Sequence, residues 1–256
     1  NPKHHTMKPI VTLAVFSFFS FTCSLRGQNL FVETFTNGFG TNGWTAESGW
    51  VTGTSATISS ADFSIPAHTV FAGINDDAMG ETTQSSGAIT SPMIDLTGQA
   101  GVVLKFDAYF INGDWEGSNE TAKVFIRPDT SATWTLLKDL PGNTSWHTYK
   151  IFIPSQFAGN KVYVSFAYDD DGAWNYGFCV DNVSVDIALE YDGAVEHTNK
   201  LEYTRLTPNQ SRPLVFENEL NNLGFQALTD VSMVFRASVN NVIIEETTQL
   251  FPETTP

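Results

Sequence analysis

Acidic and aromatic side chains are concentrated in residues 168–185 of this 256-residue chain. Three aspartates at positions 169–171 precede the aromatic residues Trp174 and Tyr176, and Asp181 stands in the apolar run that follows. Carboxylates held next to a buried strand repel one another unless a cation or hydrogen bonds satisfy them. The segment therefore indicates a hard-cation site or a polar recognition rim on a β scaffold, and it does not indicate a catalytic site.

Four carboxylates are candidate ligands for a metal ion: Glu33, Asp76, Asp77 and Asp181. Calcium takes about 6–8 oxygen ligands from carboxylates, carbonyls and water. Jelly rolls bring their first and last strands close together, so these groups would meet at one place if the chain has that fold. We therefore predict a structural calcium ion there. The alternative is that the aspartates cap separate turns, with Asn75 and Asp76 forming Asx turns.

Two tryptophans lie in acidic loops that contain glycine. Trp115 stands in Gly-Asp-Trp-Glu-Gly, and Trp174 stands in Asp-Gly-Ala-Trp-Asn-Tyr, which ends at Tyr176. Exposed aromatic side chains in loops are a common means of gripping a sugar ring or a protein surface. These three residues are therefore the predicted ligand-binding residues; the alternative is that they pack within their own loops. The tryptophans beside predicted strand ends are interpreted as packing residues: Trp44, Trp134 and Trp146.

The chain carries no sequence motif for catalysis. It lacks a His-Glu-x-x-His zinc motif, a Gly-x-Ser-x-Gly nucleophile turn, a P-loop and a dinucleotide-binding fingerprint. Beyond the first residues its histidines are far apart in sequence, at His68, His147 and His197. Cys179 is flanked by apolar residues, which indicates a small buried hydrophobe. The chain is therefore predicted not to be an enzyme, and the activity of a longer parent protein is left open.

Short strands separated by polar turns dominate the pattern. Apolar and polar residues alternate in runs such as Lys123–Arg127 and Lys161–Phe166, which is the period of a half-buried strand. No stretch has a 3.6-residue apolar period of helical length. Many short strands with polar turns predict an all-β fold, here a jelly-roll β-sandwich. The predicted strands are Leu30–Phe35, Thr69–Ile74, Val102–Phe110, Ala122–Arg127, Trp134–Lys138, His147–Ile153, Lys161–Tyr168 and Phe178–Ile187.

Three regions are predicted along the chain. Residues 1–27 comprise upstream residues and a signal peptide, because Met7 and Lys8 precede an apolar stretch with the length of a secretory leader. Residues 28–187 form the jelly-roll domain. Residues 188–256 are polar at first and then resume a strand pattern, which predicts a partial, truncated immunoglobulin-like β domain. The leader predicts a secreted or cell-surface protein that is not inserted in a membrane after cleavage.

The charge balance excludes two classes of partner. The chain has 28 acidic and 13 basic side chains and a formal net charge of −15. Nucleic acids and anionic membranes are bound mainly through Lys and Arg. Neither is therefore an expected partner, whereas divalent cations are compatible with this charge.

Several short motifs follow one another over residues 30–187. They are Phe31–Phe35, Gly43-Trp44, Ile89–Gly98, Leu104–Tyr109, Thr133-Trp134, Trp146–Tyr149 and Tyr176–Val183. In this order the chain resembles the choice-of-anchor J domain, a relative of MAM domains and of the cleaved-adhesin domains attached to gingipain-type proteases. The resemblance implies a jelly-roll sandwich in a secreted, often multidomain protein, with structural calcium. Asn182 follows Asp181 where relatives usually have a second acid, and this departure weakens the implied cation site.

Together these observations predict a secreted, non-catalytic binding or adhesion module that recognises an extracellular glycan or protein. The alternative is an accessory region of a larger secreted peptidase or polysaccharide-degrading enzyme.

Overall fold

The computed structural model of the chain describes residues 29–80, 85–115, 117–197, 218–239 and 242–255. The chain divides into two compact units, one spanning Arg26–Ala188 and the other containing Leu189–Pro256. Nearly all regular structure is β-strand, as the alternating sequence pattern predicts. Among the described residues no helix has the length and apolar character needed to cross a membrane.

The described residues of the first unit form fourteen strands and one short helix. They are β1 (Asn29–Glu33), β2 (Thr45–Ala46), β3 (Trp50–Gly53), α1 (Ser55–Ile58), β4 (Phe71–Asn75), β5 (Ser86–Thr90), β6 (Ile94–Asp95), β7 (Val102–Phe110), β8 (Asp114–Trp115), β9 (Ser118–Asn119), β10 (Thr121–Pro128), β11 (Thr135–Asp139), β12 (His147–Phe152), β13 (Lys161–Asp169) and β14 (Gly177–Ile187).

Strand β14 is central to the first sheet, whose order is β12-β7-β14-β4-β3. One edge of β14 pairs with β7 along most of its length. The other edge pairs with β4 over Gly177–Val180 and with β1 over Val183–Asp186. The first strand of the unit is therefore hydrogen-bonded to the last. Between the two pairings the register of β14 shifts at Asn182, which has a positive φ of 49°, the mark of a β-bulge.

The second sheet has the order β11-β10-β13-β5-β2, with β6 also pairing with β13. Its strands alternate buried and partly exposed side chains; in β10, Val124 and Ile126 are fully buried whereas Phe125 and Arg127 are half-buried. This alternation gives the sheet one face toward the interior and one toward solvent.

The two sheets pack face to face around one large apolar core. Phe106 of β7 and Phe166 of β13 meet across the interface edge-to-face, with ring centroids 5.0 Å apart. Trp44 closes one end of this core against Phe35 at 5.1 Å, which confirms its interpretation as a packing residue. Antiparallel sheets joined through such a core form the predicted jelly-roll β-sandwich.

A loop covers part of the outer face of the first sheet. Helix α1 and the chain after it bring Ile58, Phe63 and Ile65 onto Tyr109 and Cys179, which form a second, smaller buried cluster with their neighbours. Cys179 is fully buried, and burial raises the pKa of its thiol. The prediction that Cys179 is a buried hydrophobe is confirmed.

The described part of the second unit contains four strands in two separate pairs. They are β15 (Gly193–His197), β16 (Asn218–Asn222), β17 (Leu228–Val239) and β18 (Val242–Thr254). Strand β15 pairs with β16, and β17 pairs with β18, both antiparallel. These strands confirm the β content of the region, and its immunoglobulin-like character stays a prediction.

Candidate functional site

The loop after β13 holds two of the three aromatic residues predicted to bind a ligand. The Trp174 indole is half-buried, and its Nε1 donates a hydrogen bond to the backbone carbonyl of Asp77 at 3.1 Å. Tyr176 packs against the smaller buried cluster, and its ring lies so close to Gly113 that no Cβ would fit there. Both side chains thus hold neighbouring loops together. The side chain of Trp115 lies outside the described residues, although its backbone belongs to β8.

Glu33 is a buried carboxylate that organises the loop after β1. Its Oε1 accepts hydrogen bonds from the backbone N–H groups of Thr34 at 2.9 Å and Phe35 at 2.6 Å. Its Oε2 accepts one from Nδ2 of Asn42 at 2.7 Å. Glu33 also lies directly opposite Val183, a core residue, so its side chain is on the interior face of the sheet.

Asp181 lies on the opposite face of that sheet. Its side chain is fully buried, its Oδ2 accepts a hydrogen bond from Thr69 Oγ1 at 2.6 Å, and the same oxygen lies 3.0 Å from His68 Nδ1. His68 in turn stacks on Trp146 at a centroid distance of 4.0 Å, and its Nε2 lies 3.5 Å from Asp107 Oδ2. The covering loop, and not the first strand, therefore supplies the neighbours of Asp181.

Asp76 and Asp77 follow β4 at the end of the sandwich that carries the Trp174 loop. Asp76 is fully buried, and its Oδ2 accepts a hydrogen bond from the backbone N–H of Asn175 at 2.5 Å. Within the described part of the chain, its Oδ1 has no hydrogen-bond partner, and neither does Oδ1 of Asn175. Asp77 accepts a hydrogen bond from the backbone N–H of Asp62 at 3.2 Å. This pair thus ties together three loops.

The four predicted metal ligands do not converge on one point. Strands β1 and β14 are adjacent, as predicted, but Glu33 and Asp181 occupy opposite faces of the sheet. Asp76 follows Asn75, which pairs with Gly177, so Asp76 lies at the level of Tyr176 and is separated from Asp181 by about 16 Å of strand at about 3.3 Å per residue. Among the described residues no group of three or more His, Cys, Asp and Glu side chains is placed to hold a metal ion. Calcium binding stays a prediction.

Two further buried carboxylates, Glu120 and Asp170, are not among the predicted metal ligands, although Asp170 belongs to the acidic run at positions 169–171. Glu120 accepts hydrogen bonds from the Tyr168 hydroxyl at 2.5 Å and from the backbone N–H groups of Gly113, Tyr176 and Gly177 at 2.8, 3.3 and 3.2 Å. Asp170 accepts hydrogen bonds from the backbone N–H groups of Ser85 and Gly172 at 2.5 and 2.9 Å. These two carboxylates connect the loops, because each one accepts a hydrogen bond from a segment that is distant in sequence.

Burial raises the pKa of Asp76, and the charges of Asp170 and Asp77 add to this effect. A carboxyl whose pKa is higher in the folded than in the unfolded state binds more protons when folded, so its contribution to stability falls as the pH rises. We expect the free energy of unfolding to fall less steeply in Asp76→Asn than in the wild type as the pH is raised from about 4, the ordinary aspartate value, to neutrality. Urea unfolding at a series of pH values in EDTA measures both slopes.

Asp129→Asn, which removes one charge from an exposed position on another loop, is the matched control and should keep the wild-type slope. Equal slopes for the wild type and Asp76→Asn would contradict the assigned burial of Asp76. Repeating the measurement in millimolar calcium tests the cation, since a ligand that binds only the folded state stabilises it. A calcium-dependent gain that Asp76→Asn abolishes would support calcium at the loop end.

A groove of about 480 Å³ opens on the outer face of the second sheet. Its lining combines hydroxyl, aromatic and charged side chains from three strands and the loop after β10: Thr45, Thr90, Arg127, Asp129, Ser131 and Trp134. The guanidinium of Arg127 lies 4.3 Å from the ring centroid of Tyr163 and 5.0 Å from that of Trp134. Trp134 therefore lines an open groove and does not pack in the core, contrary to its interpretation from sequence.

The groove follows from strand register. Arg127 of β10 is directly opposite Tyr163 of β13, so both side chains stand on the same face. Trp134 precedes β11, the neighbour of β10 on its other side. The alternation of Lys123, Phe125 and Arg127 with buried residues is visible in the sequence, but their partners are known only once the strands are aligned.

The chain matches no protein-family model and has no significant match among curated proteins. Its first unit is similar to the K1 cleaved adhesin domain of Lys-gingipain from Porphyromonas gingivalis W83, with 18% identity and a TM-score of 0.43 over 60% of this chain and 96% of that one. The K3 domain of the same protein gives 15% identity and a TM-score of 0.42, covering 62% and 99%.

The CBM22-1 xylan-binding domain of Paenibacillus barcinonensis Xyn10C is 13% identical with a TM-score of 0.39, over 63% of this chain and 95% of that one. Likenesses of this degree carry no functional conclusion for this chain. Membership of the choice-of-anchor J family stays a prediction.

Proposed function

We propose that the chain is an extracellular, non-catalytic binding module that recognises a carbohydrate through the groove on its second sheet. One observation carries the proposal: an indole, a guanidinium and several side-chain hydroxyls line one solvent-open groove formed by the second sheet and the loop after β10. Sugars present hydroxyls around apolar ring faces, so they fit a site that offers both ring surfaces and hydrogen-bonding groups. The predicted leader supports an extracellular location.

The proposed binding site thus lies on the second sheet and the loop after β10, and not in the loop that carries Trp174 and Tyr176. Trp174 and Tyr176 are engaged with Asp77 and with the smaller buried cluster, so their ring faces contribute to holding the loops. Trp134 and Tyr163, by contrast, stand on the outer face beside the groove. Thr45, Thr90 and Arg127 of the groove lie on strands, and strands position a binding surface with less loss of conformational entropy on binding than mobile loops do. A role as accessory region of a larger secreted enzyme would use the same groove.

Replacing Trp134 with alanine should weaken saccharide binding about tenfold or more, because buried aromatic anchors dominate binding energy and about 1.4 kcal/mol corresponds to tenfold in Kd. Screening the wild type on a glycan array and measuring hits by calorimetry tests this expectation. Trp174→Ala is the matched control, since it removes an indole at the loop end and should leave binding unchanged. The opposite result, with Trp174→Ala losing binding and Trp134→Ala keeping it, would return the site to the loops. Binding of protein partners but of no saccharide would overturn the proposal.

A further inference from the structure

We infer that the groove on the second sheet selects saccharides that bear a carboxylate, the uronic acid class, and that Arg127 binds this carboxylate. The inference rests on the proposed carbohydrate-binding function and names the class of ligand that the same groove takes. Three properties of Arg127 support it: the guanidinium is held in place, some of its N–H groups have no acceptor among the described residues, and the charges around it favour a single carboxylate.

Arg127 is held in place before any ligand binds. Its guanidinium carbon lies over the rings of Tyr163 and Trp134, at 4.3 and 5.0 Å from their centroids, and its Nη1 donates to the backbone carbonyl of Ser131 at 2.9 Å. A second, longer contact joins the same nitrogen to the carbonyl of Pro128 at 3.5 Å. A guanidinium contacts aromatic rings through its faces and donates hydrogen bonds along its edge. A fixed edge of this kind loses little freedom when it binds a ligand.

Donors remain on that edge. A guanidinium has five N–H groups, and in the described part of the chain only those on Nη1 of Arg127 meet a protein acceptor. The ion pairs among these residues join His68 to Asp107 and Asp181, and Lys105 to Asp186; none includes Arg127. Although the chain has 28 acidic and 13 basic side chains, the described residues give Arg127 no carboxylate partner on the wall of the groove.

The surroundings of Arg127 favour one carboxylate among hydroxyls over a densely charged polyanion. Thr45, Thr90 and Ser131 line the groove, and hydroxyl side chains both donate to and accept from sugar hydroxyls. Asp129 also lines it and is exposed, so it can accept hydrogen bonds from sugar hydroxyls while repelling further anions. The net charge of −15 acts against heavily sulfated chains in the same way. A uronic acid unit presents a carboxylate on a neutral, hydroxylated ring, which matches this lining.

The N–H groups along one edge of the Arg127 guanidinium determine how a carboxylate would bind. A guanidinium edge binds the two oxygens of a carboxylate with parallel hydrogen bonds, and such charge-assisted pairs are stronger than neutral ones. The groove of about 480 Å³ lies within the range of roughly 300–1,000 Å³ that is usual for small-ligand sites, so it has room for a short oligosaccharide segment around that contact.

The test uses paired probes that differ only at the carboxyl group. Neutral oligosaccharides that carry a single glucuronate, galacturonate or mannuronate unit are each compared with their carboxyl-reduced counterparts by calorimetry against the wild-type chain. We expect at least one acidic probe to bind about tenfold more tightly than its reduced form, and this preference to weaken as salt is added. Arg127→Gln should remove the preference, and Arg127→Lys should restore only part of it because lysine lacks the fork.

Lys123→Gln is the matched control. It removes a positive charge from the same face of β10, four residues before Arg127, and should keep the wild-type preference. Equal binding of acidic and reduced probes by the wild type would overturn the inference while leaving the carbohydrate function in place. Binding of no saccharide in either form would overturn both. The comparison of acidic and reduced probes with the wild-type chain tests the inference without any variant, so it remains decisive even if Arg127→Gln fails to fold.

Discussion

Replacing Phe106 with alanine is expected to lower the free energy of unfolding of the sandwich by about 3–5 kcal/mol. Phe106 is fully buried and is stacked on Tyr149 of the same sheet at 5.3 Å. It also meets Phe166 of the other sheet edge-to-face at 5.0 Å. Truncation therefore removes an aromatic contact within one sheet and one between the sheets, and it leaves a cavity where they meet.

Urea unfolding monitored by tryptophan fluorescence, on a fragment cut at the boundary of the first unit and on the full chain, measures this loss. Leu136→Ala on β11 serves as control, because Leu136 is 49% exposed and surface truncations usually change stability by no more than about 0.5 kcal/mol. A loss at Phe106 as small as that at Leu136 would show that the two sheets do not meet at Phe106.

Replacing Glu120 with alanine should cost about 2–4 kcal/mol, because removing a buried acceptor leaves its donors without partners. Four donors converge on this carboxylate, from Tyr168 and from the backbones of Gly113, Tyr176 and Gly177. Burial raises the pKa of Glu120, and burial together with the Glu120 charge raises that of Tyr168, so the phenol keeps its proton and acts as the donor.

A double-mutant cycle separates the loss of the Glu120 hydrogen bonds from the loss of side-chain volume. Glu120→Gln keeps the shape of the side chain and an acceptor oxygen, so it should lose less stability than Glu120→Ala. Tyr168→Phe removes one donor, and the Glu120→Ala/Tyr168→Phe double variant should be less destabilised than the sum of the two single variants. Strict additivity would mean that the Tyr168 hydroxyl does not depend on Glu120.

Sequence periodicity alone locates most strands of the first unit. The predicted strand Val102–Phe110 coincides with β7, and the predictions around β10, β13 and β14 end within one residue of the observed bounds. The reason is physical: each of these strands has at least one buried face, and its apolar positions must recur with a period of two. The covering loop could not be predicted in this way. Its residues Ile58, Phe63 and Ile65 pack on the sheet, but they come from a segment without regular apolar periodicity.

The candidate sites show where such reasoning stops. The sequence predicts that the first and last strands are adjacent, and the structure confirms this. Their acidic side chains nevertheless do not meet, because Glu33 is paired with Val183 and its carboxylate therefore lies on the interior face of the sheet. Arg127 became a candidate only when the register placed it beside Tyr163. The role of a polar side chain depends on partners far away in sequence, and those partners are set by register and not by local pattern.

The position of β14 governs how the first unit can fold. Strands β1, β4 and β7 all pair with β14, and β14 is the last strand of the unit to leave the ribosome. Contacts between segments so distant in sequence require closure of long loops, which slows folding. The first sheet therefore cannot be completed before β14 has been synthesised. The pairs β3–β4 and β7–β12 do not involve β14, but they and β1 are joined into one sheet only when Gly177–Ile187 is present.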